Sequence, residues 1–305
     1  MELNRWATER MPVERLNPKN DFLFGRLFGE EAGKQLLISL LNAVLRRGGK
    51  QAITDVTVVD DTRLGRELIE DKEVVLDILC KVDGEEQVNV EMQVRRFARM
   101  DYRSLYYLAS MMTGQINRGQ PYAFLKRTIG INILDHEYLP LSKYHNTFHL
   151  YEDEERDYLL TDILELHFIE CPKFQQVVFD IHDPLHRWLR FLDHRTTSEQ
   201  MEELMKMDET IREAEARLSY LASDEETRRL YAIRERALHD RASWLEDAKA
   251  EGREEGKAEG REEGKIEALK STALRMLQKG VAVTIICEVT GLDEKQIESL
   301  DCNSR

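Results

Sequence analysis

The sequence predicts an α/β fold, in which a mixed central sheet is flanked by helices and followed by an all-helical C-terminal appendage. Two observations predict it. Short β-branched segments alternate with segments of helical periodicity as far as residue 195. Beyond this point the chain becomes highly charged and lacks proline and glycine up to residue 248. We therefore expect a sheet domain over 1–195, a helical segment over 196–249, and a third part over 250–305.

The elements of the first domain follow from two kinds of periodicity. Apolar residues at three- and four-residue spacing predict one helix over 20–47, which Gly48 and Gly49 end. Alternation and β-branched residues predict strands, which are bounded by turn signals. The predicted strands cover 52–61, 73–81, 87–94, 128–134, 148–151 and 161–169, and a second helix covers 101–117.

The segment 250–265 holds an internal repeat, an eight-residue unit that is written twice as AEGREEGKAEGREEGK. On a helix its four glycines form one stripe beside a stripe of acids and a stripe of bases. Because a glycine stripe lets another helix approach closely, one interpretation is a homo-oligomer that assembles through this helix. The other is a solvated charged helix, in which each glycine costs about 0.8–1 kcal/mol relative to alanine.

Two short helices are predicted at the C-terminal end, over 283–290 and 294–300. Gly291 lies at the turn between them, and Asp293 is the expected N-cap of the second. This spacing matches a helix-turn-helix. The second helix is mostly acidic, however, whereas a helix that recognises bases presents Arg, Lys, Asn or Gln. The pattern therefore favours a helical packing or docking module over DNA recognition.

The charge distribution decides whether DNA is an acceptable partner. The net charge of −14 argues against it at first. Half of that charge lies in 198–265, which holds 13 basic and 20 acidic residues. The segment 94–130 instead holds seven basic residues and one acid, Asp101. A local basic patch of this kind is what phosphate binding requires.

Several classes of protein are disfavoured by the sequence. No apolar run reaches the length of about 18 residues that a transmembrane helix needs, so we expect no membrane partner. The first 20 residues lack the apolar stretch of a secretory signal. The four cysteines are scattered and form no CxxC pair, which indicates neither disulfides nor a zinc knuckle. We expect a cytoplasmic protein. Motifs for nucleotide hydrolysis and acyl transfer are absent from the sequence.

The strand pair around Asp83 and Gly84 holds the strongest chemical signal. A three-residue loop over 83–85 places Asp77 opposite Glu91, and alternation puts Gln93 on the same face as Glu91. An acid inside the apolar segment EVVLDIL is costly to bury unless it is paired or binds a metal. Two carboxylates that meet in this way suit Mg²⁺ or Mn²⁺. The alternative is the polar face of an exposed hairpin.

Asp77 followed by VNVEMQ, with Glu91-Met92-Gln93, resembles the PD-(D/E)xK nuclease superfamily. More narrowly, the chain resembles the Rpn family of recombination-promoting nucleases, whose members are also described as transposases. NPKNDFLFGRLFG at 17–29, YRSLYYLASMM at 102–112 and the EGREEGK repeat extend the similarity to nearly the whole chain. The resemblance implies a restriction-endonuclease-like core. It also implies a Mg²⁺-dependent (or Mn²⁺-dependent) DNA endonuclease with little sequence specificity, associated with recombination or transposition.

The resemblance further implies roles for the motif residues. Asp77 and Glu91 would ligate the metal, and Gln93 would position the attacking water. Gln93 stands where the superfamily has lysine, so the positive charge of that lysine has to come from elsewhere in this chain. Arg103 and Lys19 are the candidates for the replacement cation.

Two further expectations concern the surroundings of the motif. Asp21 is a candidate accessory metal ligand, or else it caps the first helix. The arginines directly after the strand that carries Glu91 and Gln93 are expected to hold DNA phosphates, since phosphate contacts supply most of the non-specific affinity for DNA. A solvated helix surface is the alternative for this set. Its members are Arg95, Arg96, Arg99 and Arg103.

Two other functions remain open from the sequence alone. The first is a catalytically weak nuclease-fold protein that acts as an interaction module through the 250–265 helix. The second is a DNA-binding protein that uses its terminal helix-turn-helix. Neither would cleave DNA in the presence of Mg²⁺ or Mn²⁺, so an assay of metal-dependent cleavage separates them from an active nuclease.

Overall fold

The computed structural model describes residues 15–59 and 78–302. The contacts divide the chain into two compact units, 1–235 and 236–305. The predicted domain boundaries at 195 and 249 stay a prediction. Within the described ranges, no helix combines the length and the apolar character that a membrane crossing requires.

A mixed sheet forms the centre of the first unit, and the described residues contribute six strands to it in the order β1-β2-β3-β4-β6-β5. The strands β3, β4 and β6 pair in parallel, and the remaining pairs are antiparallel. This arrangement confirms the predicted mixed sheet. The strands are β1 (Val56–Val58), β2 (Ile78–Val82), β3 (Glu86–Gln93), β4 (Thr128–Leu134), β5 (His145–Tyr151) and β6 (Leu159–Glu170).

Helices cover both faces of this sheet. The helices α1, α2, α5, α6 and α7 share the large buried cluster on one face, and α3 packs on the other. The described residues of the first unit include the helices α1 (Asp21–Phe28), α2 (Lys34–Val44), α3 (Met100–Thr113), α4 (Cys171–Phe174), α5 (Pro184–Leu192), α6 (Ser198–Met207), α7 (Glu209–Ser223) and the start of α8 (Glu225–Gln278).

The single helix predicted over 20–47 is wrong. Asn20 caps α1 by accepting a hydrogen bond from the backbone N of Leu23, and α1 ends at Gly29. A 3₁₀ turn, Glu31–Gly33, then leads into α2. A Cβ atom added at Gly33 would lie 2.1 Å from the backbone oxygen of Leu27. The bend therefore depends on a close backbone approach that apolar periodicity does not reveal.

The β2–β3 hairpin has the register that the sequence predicts. Its turn places Asp83 and Gly84 at φ angles of 47° and 74°, in the left-handed region. The Asp83 carboxylate accepts backbone hydrogen bonds from Thr54 (3.1 Å) and Asp55 (2.9 Å), which hold the turn against β1. The predicted strand 73–81 is described only from Ile78 onward, and Asp77 lies outside the described residues. The described partners include Ile78 with Val90, Cys80 with Val88, and Val82 with Glu86.

The other boundaries differ from the predictions to varying degrees. The strand over 128–134 is found with the predicted bounds. The strand predicted over 52–61 is short, and residues 60–61 lie outside the described residues. The strands predicted over 148–151 and 161–169 are longer in the structure, and the helix predicted over 101–117 ends at Thr113.

The second unit contains the end of α8 (Glu225–Gln278) with α9 (Val283–Thr290) and α10 (Glu294–Cys302). The glycine repeat is helical throughout and lies within α8. Asp293 accepts a hydrogen bond from the backbone N of Gln296 (2.8 Å), and the Gln296 side chain accepts one from the backbone N of Asp293 (3.0 Å). These bonds confirm the predicted N-cap. A small apolar cluster joins the three helices and includes Ala273, Ile286, Leu292 and Ile297.

The close approach at Gly33 predicts a contrast between two glycines. We expect Gly33→Ala to lower the free energy of unfolding by about 1–3 kcal/mol, because the new Cβ collides with backbone. The control is Gly25→Ala in α1, where an added Cβ has nothing within 4 Å. There we expect a gain of about 0.5–1 kcal/mol from helix propensity. Urea unfolding followed by circular dichroism measures both, and equal stabilities of the two variants would contradict this account.

Candidate active site

Three polar side chains of β3 lie on the sheet face that α3 covers. Asn89, Glu91 and Gln93 are all buried, and Glu91 is only 1% exposed. Between them Val90 and Met92 point into the core of the opposite face. The alternative of an exposed hairpin with a polar face is therefore wrong, since this polar face is packed inside the protein.

The Glu91 carboxylate is held by its neighbours on the same strand. The Asn89 amide donates a hydrogen bond to Oε1 (3.0 Å), and the Gln93 amide donates one to Oε2 (3.0 Å). From α3, the Arg103 guanidinium lies 3.7 Å from Oε2. Burial of a carboxylate is tolerated when hydrogen bonds and a cation compensate for lost hydration. The three side chains provide that compensation.

Arg103 is itself fixed in place by aromatic residues. Its Nε donates a hydrogen bond to the Tyr107 hydroxyl (2.7 Å). The guanidinium also lies 5.0 Å from the centre of the Tyr107 ring and 4.9 Å from that of Phe97. A positive charge thus approaches Glu91 from α3, the helix that follows β3 in the sequence.

The neighbouring strand adds a polar side chain that the sequence analysis missed. Asn132 of β4 pairs with Glu91 in the strand register and is buried. It accepts a hydrogen bond from Ser104 Oγ (3.0 Å) and donates one to the backbone oxygen of His167 (3.1 Å). Asn132 was detectable as the single polar side chain inside the apolar strand INIL. Nearby, the buried Asn89 Oδ1 has no hydrogen-bond partner among the described residues.

Lys19, the other candidate for the replacement cation, lies at the end of the same strands. It is 2% exposed, and its Nζ is 2.5 Å from Asp135 Oδ1. The backbone N of Asp135 donates to the backbone oxygen of Gln93 (2.9 Å). Lys19 is therefore connected to the end of β3 through Asp135, whereas Arg103 approaches Glu91 itself.

Asp21 is tied to a different part of the first unit. Both of its carboxylate oxygens accept hydrogen bonds from Arg234 of α8 (2.8 and 3.0 Å from Nε). The capping role that the sequence allowed for Asp21 belongs instead to Asn20. The role of Asp21 as an accessory metal ligand stays a prediction.

The predicted phosphate-binding arginines lead from the end of β3 into α3. Arg96 and Arg99 are exposed, whereas Arg95 and Arg103 are partly buried. Arg99 stacks its guanidinium 5.0 Å from the centre of the Tyr102 ring. Burial, together with the charge of Arg96, lowers the pKa of His136 below its usual value. The exposed members of this set are positioned to meet an anion in solution.

The donor set around Glu91 decides whether a metal fits. Within residues 15–59 and 78–302, no three His, Cys, Asp or Glu side chains cluster closely enough to hold a metal ion. Glu91 and Asn89 Oδ1, which has no partner among the described residues, are hard oxygen donors of the kind that Mg²⁺ and Mn²⁺ prefer. The described residues therefore fit one side of such a site. The meeting of Asp77 with Glu91 stays a prediction, since Asp77 lies outside the described residues.

A second polar cluster lies on the opposite face of the sheet, where β5 and β6 pair. The Glu165 carboxylate accepts a hydrogen bond from His167 Nε2 (2.7 Å) and contacts Arg127. His167 Nδ1 then lies 2.8 Å from His145 Nε2. Side chains of this cluster line a cavity of about 700 Å³. Both His145 and His149 lie on β5.

The electrostatics of this second cluster oppose protonation of His145. Burial, helped by the charges of His167 and Arg46, lowers the pKa of His145 to about 4. Burial raises the pKa of Glu165, but the hydrogen bond and charge of His167 and the charge of Arg127 outweigh it and bring that pKa to about 2. The cluster is therefore built around an ionised Glu165 and a neutral His145.

This cluster predicts a pH dependence of stability. Because the pKa of His145 lies below its unfolded value of 6.5, its contribution is complete above pH 6.5 and is lost as pH falls toward 4. Between pH 7.5 and 5 we expect the wild type to lose about 2 kcal/mol more unfolding free energy than His145→Gln. The control is His194→Gln, at an exposed position, which should keep the wild-type dependence. If the unfolding free energies of wild type and His145→Gln, measured with urea, changed equally with pH, His145 would not be the group responsible.

Comparison with known proteins places this chain in a family. Searches of curated proteins and of solved structures return no match. A family model described as PD-(D/E)XK nuclease family transposase matches residues 18–248, about three quarters of the chain. The match includes the whole sheet, the buried face of β3, and α3. The chain belongs to the PD-(D/E)XK nuclease family transposases.

Proposed function

We propose that this protein is a metal-dependent DNA endonuclease with little sequence specificity, which acts in recombination or transposition. The observation that carries the proposal is the Glu91 carboxylate, buried between two amides and approached by Arg103. Membership of a nuclease family linked to transposition supports it. We also propose a cytoplasmic location, which the buried free thiols of Cys80 and Cys171 support.

Asp77 and Glu91 would hold Mg²⁺ or Mn²⁺ in this proposal. The described strand partners, from Ile78 with Val90 onward, have the register from which the position of Asp77 was predicted. When bound, the cation supplies a water of lowered pKa and positive charge beside the scissile phosphate. Gln93, whose amide already lies against Glu91, would orient that water.

Cations from other elements would complete the site. Arg103 would supply the positive charge that the superfamily lysine provides, since it approaches Glu91 from α3. Lys19 would act more indirectly, through Asp135. Arg95, Arg96 and Arg99 would hold the DNA backbone through phosphate contacts, which carry no sequence information. Asp21 remains an accessory candidate that would first have to leave Arg234.

The proposal predicts a loss of plasmid nicking in two variants. We expect Asp77→Ala and Glu91→Ala to lower the Mg²⁺-dependent nicking rate by about 100-fold or more, because removal of a group that merely supports a metal ligand already costs 10- to 100-fold. Chelation with EDTA should stop the wild-type reaction, and Mn²⁺ or Mg²⁺ should restore it.

The control for this test is Glu154→Ala, which removes an exposed acid from the β5–β6 connection. It should nick at the wild-type rate. Circular dichroism of all variants separates loss of chemistry from loss of folding. Wild-type nicking rates in Glu91→Ala would show that the site is wrong. A folded wild type that is inactive at every Mg²⁺ and Mn²⁺ concentration would favour the catalytically weak interaction module instead.

We also propose that the chain self-associates through the 250–265 helix. The repeat lies in a continuous helix, and Cβ atoms added at Gly252, Gly256, Gly260 and Gly264 would meet nothing within 4 Å. Space for a second helix is therefore open along the glycine stripe. Within the chain, Lys257 and Lys265 pair with glutamates three residues earlier (2.7 and 2.6 Å), which leaves the other acids of the repeat for pairing across chains.

Alanine at all four glycines distinguishes self-association from a solvated helix. If a second helix packs against the glycine stripe, the four added methyl groups push the chains apart, and the mass of the particle measured by sedimentation falls. If the helix is only solvated, the mass stays unchanged, and helix stability rises by about 3–4 kcal/mol in total. The second outcome would refute the proposal. The control is alanine at Glu254 and Glu262, the two acids that pair within the chain, and it should leave the measured mass unchanged.

A further inference from the structure

The outer face of α3 carries a stripe of large apolar side chains. Tyr102, Leu105 and Tyr106 are spaced three and four residues apart, so they lie on one side of the helix. All three are exposed, with Tyr102 63% and Tyr106 46% accessible. The opposite side of α3 already fills the sheet core through Leu108 and Met111. The exposed residues, named here the α3 aromatic stripe, are therefore not needed for packing against the sheet.

Direct contacts connect this stripe to the candidate active site. Arg103 approaches Glu91 at 3.7 Å and binds the Tyr107 hydroxyl at 2.7 Å. The Tyr107 ring centre lies 6.5 Å from that of Tyr106. Two side chains, Arg103 and Tyr107, thus connect the stripe with the buried Glu91 carboxylate, and both lie on α3 with the stripe.

The charge around the stripe selects its partner. Arg99 stacks over Tyr102, and the surrounding segment 94–130 has seven basic residues and one acid. That acid, Asp101, accepts a hydrogen bond from the Tyr138 hydroxyl. Aromatic rings interleaved with arginines complement a polyanion that also offers flat apolar faces. Basic residues alone would suffice for the backbone of a duplex, whose bases are stacked and not accessible to tyrosine.

The loop after α3 repeats this composition. Tyr122 and Phe124 are exposed and stand in a segment with Arg118 and Lys126. The Gln115 side chain holds the loop by accepting a hydrogen bond from the backbone N of Lys126 (2.7 Å) and donating one to Thr128 Oγ1 (2.8 Å). Two successive segments therefore present rings together with positive charge.

We propose that the α3 aromatic stripe binds unpaired DNA bases by stacking. The substrate class of the nuclease is then DNA with a single-stranded stretch beside the scissile phosphate, such as a fork, a flap or a melted end. The statement about cleavage rests on the proposed function, whereas the binding of unpaired bases does not. Leu105 adds apolar contact between the two rings, and Arg99 and Arg103 hold the adjoining phosphates.

Fluorescence anisotropy of the full chain in EDTA tests the binding. The probes are a fluorescein-labelled 20-nucleotide oligothymidine and a labelled 20-base-pair duplex. We expect the wild type to bind the single strand more tightly than the duplex. Tyr102→Ala combined with Tyr106→Ala should weaken single-strand binding about tenfold or more, since each stacked base contributes ~1–3 kcal/mol. Duplex binding should change less than about twofold.

Matched variants separate stacking from charge. Phenylalanine at both positions keeps the rings and should retain wild-type binding, and Tyr220→Ala, which removes an exposed tyrosine from α7, should have no effect. The tyrosine variants should leave the salt dependence of binding unchanged because they remove no charge. Arg99→Gln should instead reduce the slope of log K against log salt by roughly 0.7.

The outcomes distinguish this inference from the proposed function. The inference is overturned if wild type and the double alanine variant bind the single strand with equal affinity. It is also overturned if the variant loses the same affinity for the single strand and for the duplex. Plasmid nicking that persists in either case leaves the nuclease assignment intact. The converse result is single-strand binding that depends on the two rings, with no cleavage of forked or duplex DNA in Mg²⁺. It would support base binding by the α3 aromatic stripe and refute the proposed nuclease activity.

Discussion

The burial of the Glu91 carboxylate is the constraint on which the arrangement of the site depends. A carboxylate without hydration or partners costs several kcal/mol inside a protein. Here two amides from the same strand and an arginine from α3 meet it. The position of α3 is thereby fixed by polar contacts as well as by apolar packing, and the residues of its outer face are fixed with it. The chemistry and the surface that approaches DNA in our proposal are parts of one packed unit.

The fold was predictable where the determining interactions are local. The register of the β2–β3 hairpin follows from a three-residue turn and period-two alternation, and the strand at 128–134 follows from a largely apolar, β-branched segment. The break between α1 and α2 was not predictable in this way. It depends on Gly33 approaching the backbone oxygen of Leu27, a tertiary contact that leaves the apolar spacing unchanged. Periodicity identified the buried face there but not the bend.

The residues of the site were likewise predictable where they follow the local alternation of one strand. Glu91 and Gln93 share one face, as alternation requires, and Asn89 follows from the same pattern although the sequence analysis did not single it out. Asn132 and Ser104 reach this face from β4 and α3, and only the sheet order brings them together. The cluster of His145 and His167 with Glu165 was not predictable from spacing along the chain. This cluster depends on the pairing of β5 with β6.

In our proposal Gln93 takes the place of the superfamily lysine, and the charges around it are consistent with that role. Arg103 already approaches Glu91, and Lys19 is buried at the end of the same strand against Asp135. A lysine at position 93 would add a further cation to this interior, where each charge loses hydration. Glutamine donates the hydrogen bond to Glu91 and leaves the positive charge to a side chain from α3. Since Arg103 is also the link to the α3 aromatic stripe, our proposal places the cation on the helix that approaches DNA and not on the strand.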